Sequence, residues 1–422
     1  MKIKVKKMKA VLVLLISLFT FSDDVFSKEK LLPNTLLEIK VIKNWEPIKN
    51  FQKFKEYSQK RPMPENKRFI ERNDKEWKCF DRIKNVDPYP KDDNSHWAWF
   101  TCQNYLHVVG TLNPQLIGDI LLFWASAKKD PMIAKKTTKA IGYNVSGYDI
   151  PSTIGTFAQF YAVWYKEINY TDQERELVNT YLVQKLFDQK FPVLNHGSRK
   201  CNIKKLKSIY SKNTGTNNCG NIRMKVAVGE IMLGFRLEDQ ELLNKGHKDI
   251  YVVQAFINKD GININLASRG ASTVNYSWEY TGYSSILAEV YRPVGYDYFE
   301  HTLPRGAKVK NYLKFNYRLL KDFKLTAEWA KYDVGSKSNP YKKISKITQA
   351  EYIQTENAKD AYRYEDGDKE FIKTHPRFTK KYMPELYSNV SEEEIKNYHR
   401  SKEGLISANK GVSSYALYYG NN

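Results

Sequence analysis

The stretch INKDGININLASRGASTVNYSWEY, residues 257–280, concentrates the residue types in this chain with the clearest chemical use. An Asp260-Gly261 turn precedes Arg269, and Tyr276 follows that arginine by seven positions. A free phenol, with a pKa of about 10, is a poor base at neutral pH. A guanidinium beside it favours the tyrosinate and can also pair with an anionic group on a substrate. Seven residues make almost two helical turns and a rise of roughly 10 Å, so direct contact requires Arg269 to sit in a loop before the helix. Gly270 and Ser272-Thr273, a good N-cap pair, suit that change from loop to helix. A second group of donors, Asn217, Asn218 and Asn221, flanks Cys219 and Gly220 ahead of another helical pattern.

The elements that must position these groups read as helices. An apolar run from Leu112 to Trp124 opens with Pro114, suited to a first turn, and residues 151–168 begin similarly with Pro151. Thr171-Asp-Gln-Glu174 is a capping box ahead of Leu177, Val178, Tyr181, Leu182 and Leu186, which recur at helical spacing. Residues 221–235, 238–257, 273–291 and 306–333 repeat the pattern, and Ser391-Glu-Glu-Glu394 is a second capping box. Few stretches alternate as strands do, so the expected class is all-α, built of stacked antiparallel helical hairpins. No fixed-period repeat and no linker rich in Pro, Gly or Ser interrupts it. One domain is expected from residue 28 to residue 422.

Composition narrows the setting. The chain has 422 residues, 41% hydrophobic, and a formal charge of +21. A basic start followed by the apolar Ala10–Phe21 segment reads as a signal peptide over residues 1–27, too short to span a bilayer comfortably. Removing it takes away five lysines and two aspartates, leaving +18. Such a surplus favours polyanionic partners. Export argues against nucleic acid, and no nucleic-acid-binding signature appears; acidic polysaccharide is the other polyanion met outside the cytoplasm. No later segment has the length and apolarity of a membrane span, so a periplasmic or secreted protein without a membrane anchor is expected. Four cysteines, Cys79, Cys102, Cys201 and Cys219, allow three pairings, of which Cys79–Cys102 and Cys201–Cys219 are the most local. The second pair brackets a basic loop holding Arg199, Lys200, Lys204, Lys205 and Lys207, either a tethered cationic loop or a solvated turn. Neither CxxC nor HExxH occurs, so no transition-metal site is expected.

Taken co-linearly, Cys219, Asn221, the Ile257-Asn258-Lys259-Asp260-Gly261 turn, Arg269 and Tyr276 resemble the motif of the alginate lyase family of polysaccharide lyases. The likeness is clear over residues 217–290 and extends more weakly to 151–168 and 303–333. It implies an incomplete (α/α) toroid and metal-independent β-elimination on a uronic-acid polymer, with no cofactor. Elimination removes the C5 proton beside a carboxylate, which must first be neutralised. The resemblance gives that task to Arg269 and Asn221, and the roles of base and acid to Tyr276. Tyr280 falls where the family carries a second tyrosine. In the family a histidine directly follows the asparagine; here that position is Ile222, which can neither transfer a proton nor donate a hydrogen bond. Three readings follow. Tyr276 acts alone, a neighbour such as Arg223 or His196 substitutes, or the chain binds acidic glycans without cleaving them.

Blander roles stand beside these. Asn221 suits a helix cap, Arg269 a helix-terminal salt bridge and Tyr280 simple packing. Asn218 joins the substrate-binding candidates. His96 and Trp97 suit either ring stacking in a sugar cleft or an ordinary aromatic core. A glycoside hydrolase would need two carboxylates across a cleft; Glu279 and Glu289 are nearby candidates without a telling spacing.

Overall fold

Apolar residues at helical period become helices throughout the parts of the chain that the structure, a computed structural model, describes: residues 31–59, 114–126, 145–187, 220–263, 273–322, 325, 367–397, 412 and 414–422. In chain order these are α1 (Phe51–Gln59), α2 (Pro114–Ser126), α3 (Val145–Trp164), α4 (Asp172–Phe187), α5 (Asn221–Arg236), α6 (Gln240–Gln254), α7 (Thr273–Tyr291), α8 (Val309–Lys321), α9 (Gly367–Thr374), α10 (Pro376–Tyr382), α11 (Pro384–Ser388), α12 (Glu392–Asn397) and α13 (Ser414–Gly420). Only isolated bridges, Ile257 with Asn263 and Thr302 with Lys308, have β character among the described residues. The all-α class with helical hairpins is therefore the class observed.

Both capping boxes form. Thr171 N–H donates to Glu174 Oε2 at 2.9 Å and Ser391 N–H to Glu394 Oε2 at 2.9 Å, each answered by the reciprocal bond to the hydroxyl. The helix expected to start at Pro151 starts earlier: α3 begins at Val145, so Pro151 lies within it. Proline there has no N–H to offer the Gly147 carbonyl four residues back, and the helix continues past it. The segment expected over residues 306–333 is helical over Val309–Lys321, with Lys308 and Asp322 as its caps; beyond Asp322 only Leu325 of that segment is described.

The tightest unit is the α5–α6 hairpin. Leu237, Glu238 and Asp239 turn the chain, Glu238 with a φ of 56°, and Asp239 caps α6 by accepting from the N–H groups of Glu241 and Leu242, both at 2.9 Å. Gly234 lets the two backbones close up, since a Cβ there would lie 2.7 Å from the Leu243 nitrogen.

α3 packs on α5 just as closely, with a Cβ on Gly229 placed 2.6 Å from the Gly155 oxygen. Seven residues further along each helix, Arg236 Nε donates to the Ala162 carbonyl at 2.7 Å. Equal offsets mean that α3 and α5 run parallel. α7 packs against α5 as well, and Phe235 meets Tyr291 edge-on at 5.9 Å, so their C-terminal ends lie together.

The Trp45-Glu46 dipeptide ties these three ends. The Trp45 ring stacks on Phe235 at 5.6 Å while its Nε1 donates to the Val290 carbonyl at 3.1 Å. Glu46 receives Lys166 at 2.7 Å and Arg236 at 3.0 Å. The C-terminal ends of α3, α5 and α7 thus meet at one rim, and the parallel α3 and α5 point their N-termini away from it.

Candidate active site

Asn221 and Tyr276 belong to the N-terminal turns of α5 and α7. Gly220 is the N-cap of α5 and makes no side-chain cap bond, so Asn221 is the first helical residue rather than the cap. α7 is described from Thr273, which puts Tyr276 in its first turn. Tyr276 precedes Tyr291 by fifteen residues and Asn221 precedes Phe235 by fourteen. At 1.5 Å per residue, Tyr276 lies about 22 Å along α7 from Tyr291 and Asn221 about 21 Å along α5 from Phe235.

The Ile257–Gly261 part of the motif is structural. Asn258 Oδ1 accepts from the N–H groups of Asp260 at 3.0 Å and Ile262 at 2.8 Å, while its own N–H donates to the Ile262 carbonyl. Asp260 is exposed, but Gly261 is buried with a φ of 81°, and a Cβ there would come within 2.8 Å of the Asn311 backbone. A left-handed backbone pressed on α8 admits only glycine without strain. This turn fixes where the chain leaves α6 on its way to Arg269.

Arg223 is committed to the hairpin. Its Nε and Nη2 both donate to Asp249 Oδ1, at 2.8 and 2.6 Å. Asp249 Oδ2 accepts from Lys245 at 3.1 Å, and Lys245 also bonds Glu230, whose side chain is fully buried. Burial pushes the Glu230 carboxyl above its ordinary range, with Asp249 adding to the effect. Burial also works against ionised Asp249, but Arg223 and Lys245 outweigh it and hold that carboxyl below its usual value. The sequence offered one hint of this network, the i,i+4 pair Lys245 and Asp249; its link to α5 depends on tertiary packing.

Tyr280 is only 2% exposed and packs in the core beside Tyr312. Glu289, a hydrolase candidate, is buried and held by Arg377 through both carboxylate oxygens at 2.6 and 2.9 Å. Asn218, His196, His96, Trp97, Arg269 and all four cysteines lie outside the described residues, as does the basic loop up to Cys219. A cleft of about 500 Å³ opens at the opposite, C-terminal rim, lined by Tyr165, Glu176, Asn179, Arg236 and Glu238 among others. Its three carboxylates, Glu176, Glu238 and Asp239, do not suit an acidic polymer. Lys225, which the sequence analysis did not single out, is 2% exposed on α5.

No family model matches the sequence, and the search of curated proteins returns no significant relative. Among solved structures, the chain is similar to a His-to-Ala variant of alginate lyase A1-III complexed with a tetrasaccharide, at 17% identity and a TM-score of 0.43, over 59% of this chain and 66% of that one. It is similar to alginate lyase A1-III from Sphingomonas species A1 at 15% identity and a TM-score of 0.45, over 72% and 83% of the two chains. An alginate lyase from Bacteroides ovatus gives 12% identity and a TM-score of 0.45, over 90% and 99%. Likeness at this level assigns no chemistry to any residue.

Proposed function

We propose that this chain is an exported polysaccharide lyase that cleaves a β-linked, polymannuronate-like uronic-acid polymer by β-elimination, leaving a 4,5-unsaturated uronate. The observation that supports the reading is that Asn221 and Tyr276 both belong to the N-terminal turns of two helices, α5 and α7, that pack on one another. In the proposed mechanism, Arg269 and the Asn221 amide neutralise the substrate carboxylate and so acidify the neighbouring C5 proton. Tyr276 then takes that proton as tyrosinate and returns one to the glycosidic oxygen as the C4–O bond breaks. Both transfers occur on one face, so the mechanism requires C5–H and the leaving oxygen to be syn. With Ile222 where the family has histidine, no second proton carrier is assigned.

The product is a conjugated unsaturated acid, so ultraviolet absorbance reports the reaction. The parent protein should raise it on polymannuronate. Tyr276→Phe, which keeps the ring and removes the hydroxyl, should lower kcat by about 10²-fold or more, within the usual contribution of a general acid–base group. A flat trace across mannuronate, guluronate, glucuronan and glycosaminoglycan polymers rejects the lyase. Ile222 favours one second reading, a non-catalytic binder of acidic polysaccharide; it predicts salt-sensitive retardation in polyuronate gels with no product.

A further inference from the structure

α8 carries Lys310, Lys314, Arg318 and Lys321 and no acidic residue in its 13 positions. One face, formed by Tyr312, Leu313, Phe315, Asn316, Leu319 and Leu320, is buried. At about 100° per residue the four cations fall within roughly 80° of one another on the opposite side, and at 1.5 Å per residue they span about 16 Å. They form a single stripe along the outer face, and Lys314 and Arg318 in its middle are exposed.

Carboxylates answer the two ends of the stripe but not its middle. Glu300 accepts from Lys310 at 2.7 Å and from Lys308 at 2.8 Å, so one carboxylate serves two ammonium groups. Asp368 accepts from Lys321 at 2.9 Å. Among the described residues, no carboxylate pairs with Lys314 or Arg318. Lys310, Lys314 and Arg318 follow one another at i,i+4, where like charges destabilise a helix, and exposed helix faces commonly mix the two signs. The chain's excess charge does not impose this pattern everywhere. The exposed positions of α4, Asp172, Gln173, Glu176, Leu177, Thr180 and Gln184, include no cation. A row of mutually repelling charges, one per turn, complements a strand that brings negative charge at regular intervals along its length. A linear polyuronate is such a strand, and its carboxylates suit charge-assisted bonds from ammonium and guanidinium groups.

We propose that the outer face of α8 is a second binding surface for the polysaccharide, where Lys314 and Arg318 take carboxylates of one strand and hold it without taking part in its cleavage. The choice of polyuronate among polyanions rests on the lyase reading; the existence of a polyanion-binding face does not. The test uses the full chain with Lys314→Gln and Arg318→Gln combined. Both side chains are exposed, so the melting temperature should stay at the parent's. A control, Lys40→Gln with Lys43→Gln, removes the same charge from two other exposed positions. In gels containing polymannuronate at low salt, the α8 variant should bind about tenfold more weakly than the parent, with the control close to the parent and the difference closing at high salt. Lys314→Gln alone should weaken binding about threefold, which keeps the test open if the pair unsettles the fold. On long polymannuronate the α8 variant should raise KM about tenfold with kcat little changed, and on tetramannuronate both constants should match the parent's. Lys314→Arg with Arg318→Lys should behave as the parent throughout.

Equal loss in the α8 variant and the control assigns the effect to net charge and overturns the inference. Unchanged retardation overturns it too, as does equal loss on tetramannuronate and polymer, which places the stripe in the catalytic cleft itself. Lost affinity for a DNA duplex with polymannuronate binding kept also overturns it. Specific loss of retardation in the α8 variant, with no product from the parent, leaves this inference standing and removes the lyase reading. Product that Tyr276→Phe abolishes, with retardation unchanged in the α8 variant, does the reverse.

Discussion

Acidification from pH 7 to pH 5 should draw stability out of this fold through His247, His301 and His375. Each is buried, at 0%, 4% and 0% exposure. Burial pushes their pKa values down to about 3, about 4 and about 3 respectively, with His301 adding to the effect on His247. His301 Nδ1 is bonded to the Tyr296 hydroxyl at 2.8 Å and His375 Nδ1 to the Ser285 hydroxyl at 2.6 Å, both neutral partners. The unfolded chain takes up a proton at each near pH 6.5 while the fold does not. Their contribution is thus fully present above 6.5, is lost as pH falls, and stops changing below the folded values. At pH 5 each histidine favours the unfolded state by about 2 kcal/mol, against about 0.2 kcal/mol at pH 7, so the three together cost about 5 kcal/mol.

Glu230 works in the opposite sense: burial raises its carboxyl, so the fold retains a proton that the unfolded chain releases. The clean measurement is therefore a difference. Neither ring nitrogen of His247 has a hydrogen-bond partner, so His247→Leu removes a titrating group without breaking a bond. Urea unfolding of parent and variant at pH 7, 6 and 5 should show the variant losing about 2 kcal/mol less across that range. Parallel pH profiles for the two proteins would refute the reasoning.

Two substitutions probe the scaffold of the rim. Gly229→Ala places a methyl 2.6 Å from the Gly155 oxygen and 3.1 Å from its Cα, forcing α3 and α5 apart at a cost of about 1–3 kcal/mol, to be read as a lower melting temperature. Asp249→Ala leaves Arg223 and Lys245 without their shared carboxylate and should cost about 3–5 kcal/mol in denaturant unfolding; adding Arg223→Met should recover part of that loss.

The sequence by itself determined what local physics determines. Helical periodicity and two Ser/Thr-to-Glu capping boxes announced the helices, because a cap is satisfied within four residues. The Asn258 turn was legible for the same reason. Pro151 misled, since a local rule that prefers proline in the first turn was overridden by continued helix on both sides. Only the tertiary structure decided that Arg223 belongs to Asp249, that Tyr280 and Glu289 are core residues, and that Lys225 faces inward. It also decided that the C-terminal ends of α5 and α7 meet, at Phe235 and Tyr291. The direction of one helix relative to another is set by contacts such as Phe235 with Tyr291 and Gly155 with Gly229, between residues far apart in the chain, and no spacing within a single segment encodes it.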